Sequence, residues 1–150
     1  MYRFELTANR PLIESAFLHP INRPWLHDES PCDDWELPIR NGYLYVACYR
    51  HEVFVGIIAL VGISDIFAIA HIAFLPDIHG HAASMGIIAK QWIWDNTSYT
   101  RLEAPIVRYN SLARRFITLL GFEHTATNES HWLEGGHFHP VDYFQACKLL

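Results

Sequence analysis

Apolar and polar side chains alternate from Tyr2 to Thr7, the period of a strand with one buried face. Asn9 and Pro11 then open a helix that lines up Leu12, Ile13, Ala16 and Phe17 and stops at Pro20. From Pro20 to Pro38 the pattern fails: Pro24, Pro31 and Pro38 interleave with Trp25, Trp35 and acids. Such a stretch is either a loop that shapes a binding site or a connector with pinned aromatics. Gly42 to Tyr49 and Val53 to Leu60 are rich in β-branched and aromatic residues, with Arg50-His51-Glu52 between them as a hairpin turn. Ile66 to Phe74 is nearly all apolar, which predicts a central strand. A helix from Gly80 to about Asp95 sets Ala82, Met85, Ile88, Ala89 and Trp92 on one face, and strand Leu102 to Val107 follows. The next helix, Ser111 to Leu120, buries Leu112, Phe116, Leu119 and Leu120 and turns Arg114, Arg115 and Thr118 outward. Strands Phe122 to Leu133 and Val141 to Lys148 close the chain around Gly135-Gly136. That order predicts a mixed sheet with helices covering its faces, in a single domain spanning residues 1–150.

A chain of 150 residues buries enough surface for one stable core. Hydrophobic residues at 51% and aromatics at 14% exclude a disordered linker. Eleven Lys and Arg against sixteen Asp and Glu give a net charge of -5, which argues against a general nucleic-acid binder and tolerates a cationic or amine substrate. Cys32, Cys48 and Cys147 are odd in number and form no CxxC, so neither a disulfide framework nor a cysteine zinc site is expected. Met1 to Glu5 does not read as a signal peptide, and the apolar run Val53 to Phe74 is broken by Gly56, Gly62, Ser64, Asp65 and His71. No membrane partner is expected, and the cytoplasm is the expected compartment.

Leu75-Pro76-Asp77-Ile78-His79-Gly80-His81-Ala82 leads from an apolar strand into a helix. Unpaired N–H groups and the helix dipole converge at such a turn and attract phosphate oxygens; the alternative is an ordinary strand-to-helix turn. A second junction places Asn110 to cap a helix and Gly121 to end it. Two junctions in tandem suit a long phosphorylated ligand.

With these residues the chain resembles the GCN5-related N-acetyltransferase (GNAT) superfamily, most closely the branch that acetylates the N-termini of ribosomal proteins. The likeness rests on Pro76, Asp77, Gly80 and Ala82 at the first junction and on Asn110, Ala113, Gly121 and Phe122 at the second. Glu134-Gly135 and Val141-Asp142-Tyr143 resemble that branch's closing strands. The resemblance implies an α+β fold with a mostly antiparallel sheet of about six or seven strands and about three or four helices. It implies binding of acetyl-CoA through Phe74, Leu75, His79, Gly80, His81, Ala82, Ala83, Asn110 and Arg114, and transfer of acetyl to a primary amine of a protein, peptide or small molecule. Two positions depart from the family pattern. Asp77 stands where a basic or amide residue is usual, and Ile117 stands where many members carry a thiolate-protonating Tyr. A fainter likeness to small phage-encoded GNAT-like proteins implies the alternative, a catalytically inactive structural or assembly module.

Acyl transfer between a thioester and an amine needs positioning, a proton acceptor and oxyanion stabilisation, but no covalent nucleophile. His71 interrupts an apolar strand just before the loop, where it is either a neutral base or a hydrogen-bonded core histidine. Glu134, Asp142 and Tyr143 are candidates to flank the amine, or else strand-end charges and a packed ring. Arg114 and Arg115 either reach a nucleotide phosphate or form a solvated face. His79 with His81, and His137 with His139, have ligand-like spacing but too few members, so no metal is expected. A homodimer is possible through the last strands or through Tyr43 and Tyr45.

Overall fold

The computed structural model describes residues 1–28 and 42–149. Its elements are β1 (Tyr2–Thr7), α1 (Arg10–Phe17), β2 (Tyr43–Arg50), β3 (Val53–Gly62), β4 (Phe67–Phe74), α2 (Ala82–Asn96), β5 (Arg101–Val107), α3 (Ser111–Leu119), β6 (Glu123–Glu134) and β7 (His137–Cys147), with 3-10 turns at Arg23–Trp25 and Pro76–Ile78. Pro31, Trp35, Pro38 and Cys32 lie outside the described residues. The strands form one sheet in the order β1-β2-β3-β4-β5-β7-β6. Among the described residues only β4 and β5 run parallel. The most apolar strand, β4, takes the middle position, where both faces are covered. Asn9 starts α1 as its side chain accepts the Leu12 N–H at 3.2 Å.

Each face of the sheet has its own core. Ala68, Ala70 and Leu102 pack with Met85, Ala89 and Ile93 of α2 and Ile117 of α3, while Ala73, Ala59 and Tyr45 pack with Ile13, Ala16 and Phe17 of α1. Side chains alternate along a strand, so β4 turns Ile72 and Phe74 toward α2 and α3 and turns His71 toward the α1 face. No helix among the described residues is long and apolar enough to cross a membrane.

Three elements depart from the hydrophobic pattern. The turn at Pro76–Ile78 delays α2 to Ala82, and Ile88 of the expected apolar face is 47% exposed while Trp94 is buried. In α3 the expected stripe is rotated: Leu112 and Leu119 are 81% and 57% exposed, and Ile117 is buried with Leu120. The Asn110 cap, whose Oδ1 accepts the Ala113 N–H at 3.2 Å, fixes where that helix starts, while its packing against the sheet sets a rotation that apolar spacing does not encode. Finally β7 begins at His137, because Gly135 (φ 63°) and Gly136 (φ 75°) close a tight hairpin and backbone pairing with β6 carries polar residues into the strand.

Candidate active site

β4 and β5 pair only at Phe67–Arg101, Ala68–Leu102 and Ile69–Glu103. Beyond that point both strands continue, to Phe74 and Val107, without pairing to each other, so a gap opens in the middle of the sheet. The Leu75 N–H donates to Val55 O of β3 at 2.8 Å. Because amide direction alternates along a strand, the N–H groups of Phe74 and Ile72 face the opposite way, into the gap. Backbone donors on a buried strand demand partners, so the gap calls for a hydrogen-bonding occupant.

The loop after β4 supplies more donors at the mouth of the gap. Gly80 adopts φ +82° with open space on its Cβ side, a conformation that suits glycine. The N-cap of α2 is His81, which makes no side-chain cap bond, so the first turn keeps unsatisfied N–H groups. Not every expected donor is available: the His79 N–H donates to Pro76 O at 2.9 Å and the His81 N–H to Ile78 O at 2.8 Å. That leaves Gly80, Ala82 and Ala83, with no backbone acceptor, as the convergent set. Asp77 sits in the preceding 3-10 turn and is exposed, so solvent screens its charge.

On the α1 face, His71 and Pro105 each lie two residues past the last β4–β5 pair, and Pro105 is level with Tyr143 of β7. His71 therefore borders the gap on β4, and Tyr143 stands on the same face one strand further on, on β7 beyond β5. The imidazole keeps an exposed edge, yet the surrounding protein removes hydration and pushes its pKa below the ordinary value. Burial pushes the Tyr143 phenol the other way, upward, and nearby Glu103 adds to the effect. Glu134 is not brought to His71: it pairs with His137, six residues along β7 from Tyr143, about 20 Å in extended strand.

Asp142, a candidate to meet the amine, is buried instead and saturated. Its carboxylate accepts Arg108 Nε at 3.1 Å and Nη2 at 2.9 Å, and the Thr127 hydroxyl at 2.7 Å. Hydrogen bonds from Arg108 hold its pKa well below the usual carboxylate range. Arg114, expected to face the nucleotide, lies with Nε 3.6 Å from this carboxylate. Ile117 is buried in the core. Among the described residues no three His, Cys, Asp or Glu gather as metal ligands. Two surface hollows, one along α3 at Ser111 and Arg115 and one at Ser64 and Thr100, lie away from the gap. Sequence reasoning overlooked Asn22, whose Nδ2 donates to Phe74 O at 2.9 Å, and Tyr109, just past β5. Neither stands in a periodic pattern that would have marked it.

No protein-family model and no curated protein matches this sequence. Solved structures do share its fold. An N-acetyltransferase from Staphylococcus aureus superposes with a TM-score of 0.69 at 14% identity, covering 98% of this chain and 97% of that one. A ribosomal-protein-S5-alanine acetyltransferase from Vibrio fischeri gives 0.69 at 12% identity, covering 98% and 93%. A chimera of the Vibrio cholerae spermidine N-acetyltransferase SpeG with hSSAT gives 0.73 at 12%, covering 97% and 95%. The chain thus has the GNAT α+β fold, with a mostly antiparallel seven-stranded sheet and three α-helices among the described residues.

Proposed function

We propose that the protein is an N-acetyltransferase that moves acetyl from acetyl-CoA to a primary amine. The observation that carries this reading is the gap between β4 and β5, lined by unpaired N–H groups and leading to the uncapped start of α2. When bound, acetyl-CoA supplies an acyl group activated as a thioester. The N–H groups of Gly80, Ala82 and Ala83 suit its diphosphate, and those of Ile72 and Phe74 suit its amide-bearing arm. Leu75, His79, His81 and Asn110 line the approach, Asn110 with its Oδ1 committed to the α3 cap. His71, kept neutral near pH 7 by its lowered pKa, takes the amine proton. Tyr143 keeps its proton and can return one to the leaving thiolate. The acceptor enters from the α1 face, where these two side chains lie.

Calorimetry with acetyl-CoA tests the reading. Binding is expected, and Ala83→Glu, which sets an acid against the diphosphate, should weaken it about tenfold. If the wild-type protein does not bind, the reading fails. A second reading, a non-catalytic module on this fold, is favoured by Asp77 beside the loop and by the buried Ile117 in place of a phenol. Thiol release from acetyl-CoA with a panel of amines decides between the two.

A further inference from the structure

Residues 22–28 cross one end of the sheet in the order β4, β5, β7, β6, at the C-terminal ends of β4, β5 and β6 and the N-terminal end of β7. Asn22 Nδ2 is fixed to Ala16 O and to Phe74 O at the end of β4, each at 2.9 Å. Trp25 packs on Tyr109, just past β5, with ring centroids 5.6 Å apart and planes at 45°. Tyr109 meets His139 of β7 at 5.0 Å and 75°. The Asp28 carboxylate then accepts the Leu133 N–H of β6 at 2.7 Å. Three segments distant in sequence thus bring three rings together, yet Trp25 and Tyr109 stay 39% and 42% exposed.

Rings inclined at 45° and 75° make a corner, whereas a flat ligand needs parallel faces. A corner of electron-rich faces suits a compact cation. Elsewhere the chain supplies its own: Arg3 lies over Tyr49, Lys90 over Phe122 and Arg101 over Phe67. Among the described residues no Lys or Arg lies over Trp25 or Tyr109, Arg23 of the same turn included. Two acidic residues stand close in the chain to the corner's residues or touch them through the backbone. Asp28 is three residues from Trp25, and His139 Nε2 lies 3.2 Å from the carbonyl of Glu134, whose carboxylate is exposed.

We propose that Trp25, Tyr109 and His139 form a binding corner for an alkylammonium group, so that the acceptor is an amine carrying a compact cationic head. Its place in the reaction rests on the acetyltransferase reading; the recognition of the cation does not. Choline and its neutral isostere 3,3-dimethylbutan-1-ol are titrated into the whole protein without coenzyme, followed by NMR of the indole N–H signals. Choline should move the Trp25 signal and bind about fivefold or more tightly than the alcohol. Trp25→Leu and Tyr109→Leu should each abolish that preference, while Trp25→Tyr, which keeps a ring face, should retain most of it. Equal binding of the two probes, or a preference that survives both leucine variants, overturns the proposal. A separate acetyl-CoA titration keeps the two failures apart. Choline discrimination without coenzyme binding removes the transferase reading only, and the converse removes the corner only.

Discussion

Replacing Asp142 by Asn isolates one charge at the junction of β5, β6, β7 and α3. The carboxylate is 1% exposed and carries a two-point contact from Arg108, the Thr127 hydroxyl and the nearby Arg114. The Arg114 Nε is itself buried without a hydrogen bond, so the carboxylate's charge is what compensates it. An amide keeps the volume but removes that charge and sets an NH2 group against guanidinium donors. Deleting one member of a buried ion pair costs about 3–5 kcal/mol when the survivor stays buried. Here the Arg108 and Arg114 side chains are 44% and 43% exposed and regain water, which lowers the cost to about 2–3 kcal/mol. With a urea slope of about 2 kcal/mol/M, the midpoint should fall by about 1–1.5 M.

The pH dependence has a definite sign. The folded carboxyl titrates below its unfolded value of about 3.9, so its stabilisation is complete above that value and drains away as pH falls below it. The gap between wild type and Asp142→Asn should be full at pH 7 and pH 5 and shrink below about pH 4. Urea titrations followed by tryptophan fluorescence at each pH measure it. His124 Nε2 also lies 3.2 Å from the carboxylate, so the refuting results are a midpoint shift below about 0.3 M at pH 7 or a gap that widens below about pH 4.

Gly56→Ala places a Cβ 2.7 Å from Ala73 O and 2.9 Å from Phe74 Cα, both backbone atoms beside the gap. The expected loss is about 2–3 kcal/mol, read as a melting temperature lower by about 5–10 °C; an unchanged melt contradicts the packing described. His71→Gln should cut turnover by about a hundredfold or more and leave acetyl-CoA affinity intact. Since burial lowers the wild-type imidazole pKa, the base form is gained as pH rises through a value below about 6.5, and that acid limb of kcat/KM should vanish in the variant. A limb that persists assigns the proton to another group. Ser84→Ala removes the 2.8 Å contact of its hydroxyl with Tyr2 and should cost no more than about 1 kcal/mol in a urea titration, since both groups are reached by solvent.

Much of the fold was legible along the chain because its causes are local. The alternation of Tyr2–Thr7, the apolar run of β4 and the caps at Asn9 and Asn110 each act within a few residues, so the order of elements and the central place of β4 follow from them. The rotation of α3 does not, since Leu112 and Ile117 are equally apolar and only the packing of the whole helix decides which is buried. The split between β4 and β5 depends on where pairing stops, which no residue in either strand announces. His71 could be singled out as a polar break in an apolar strand, but the place of Tyr143 on the same face, beyond β5, is set by the register of β5 with β7. Asp142 is one more acid in sequence and becomes a buried anchor once Arg108, Thr127 and Arg114 converge on it from three elements. Local side-chain chemistry determined the elements. Long-range pairing, in which backbone hydrogen bonds join residues far apart in the chain, decided which side chains meet at the site.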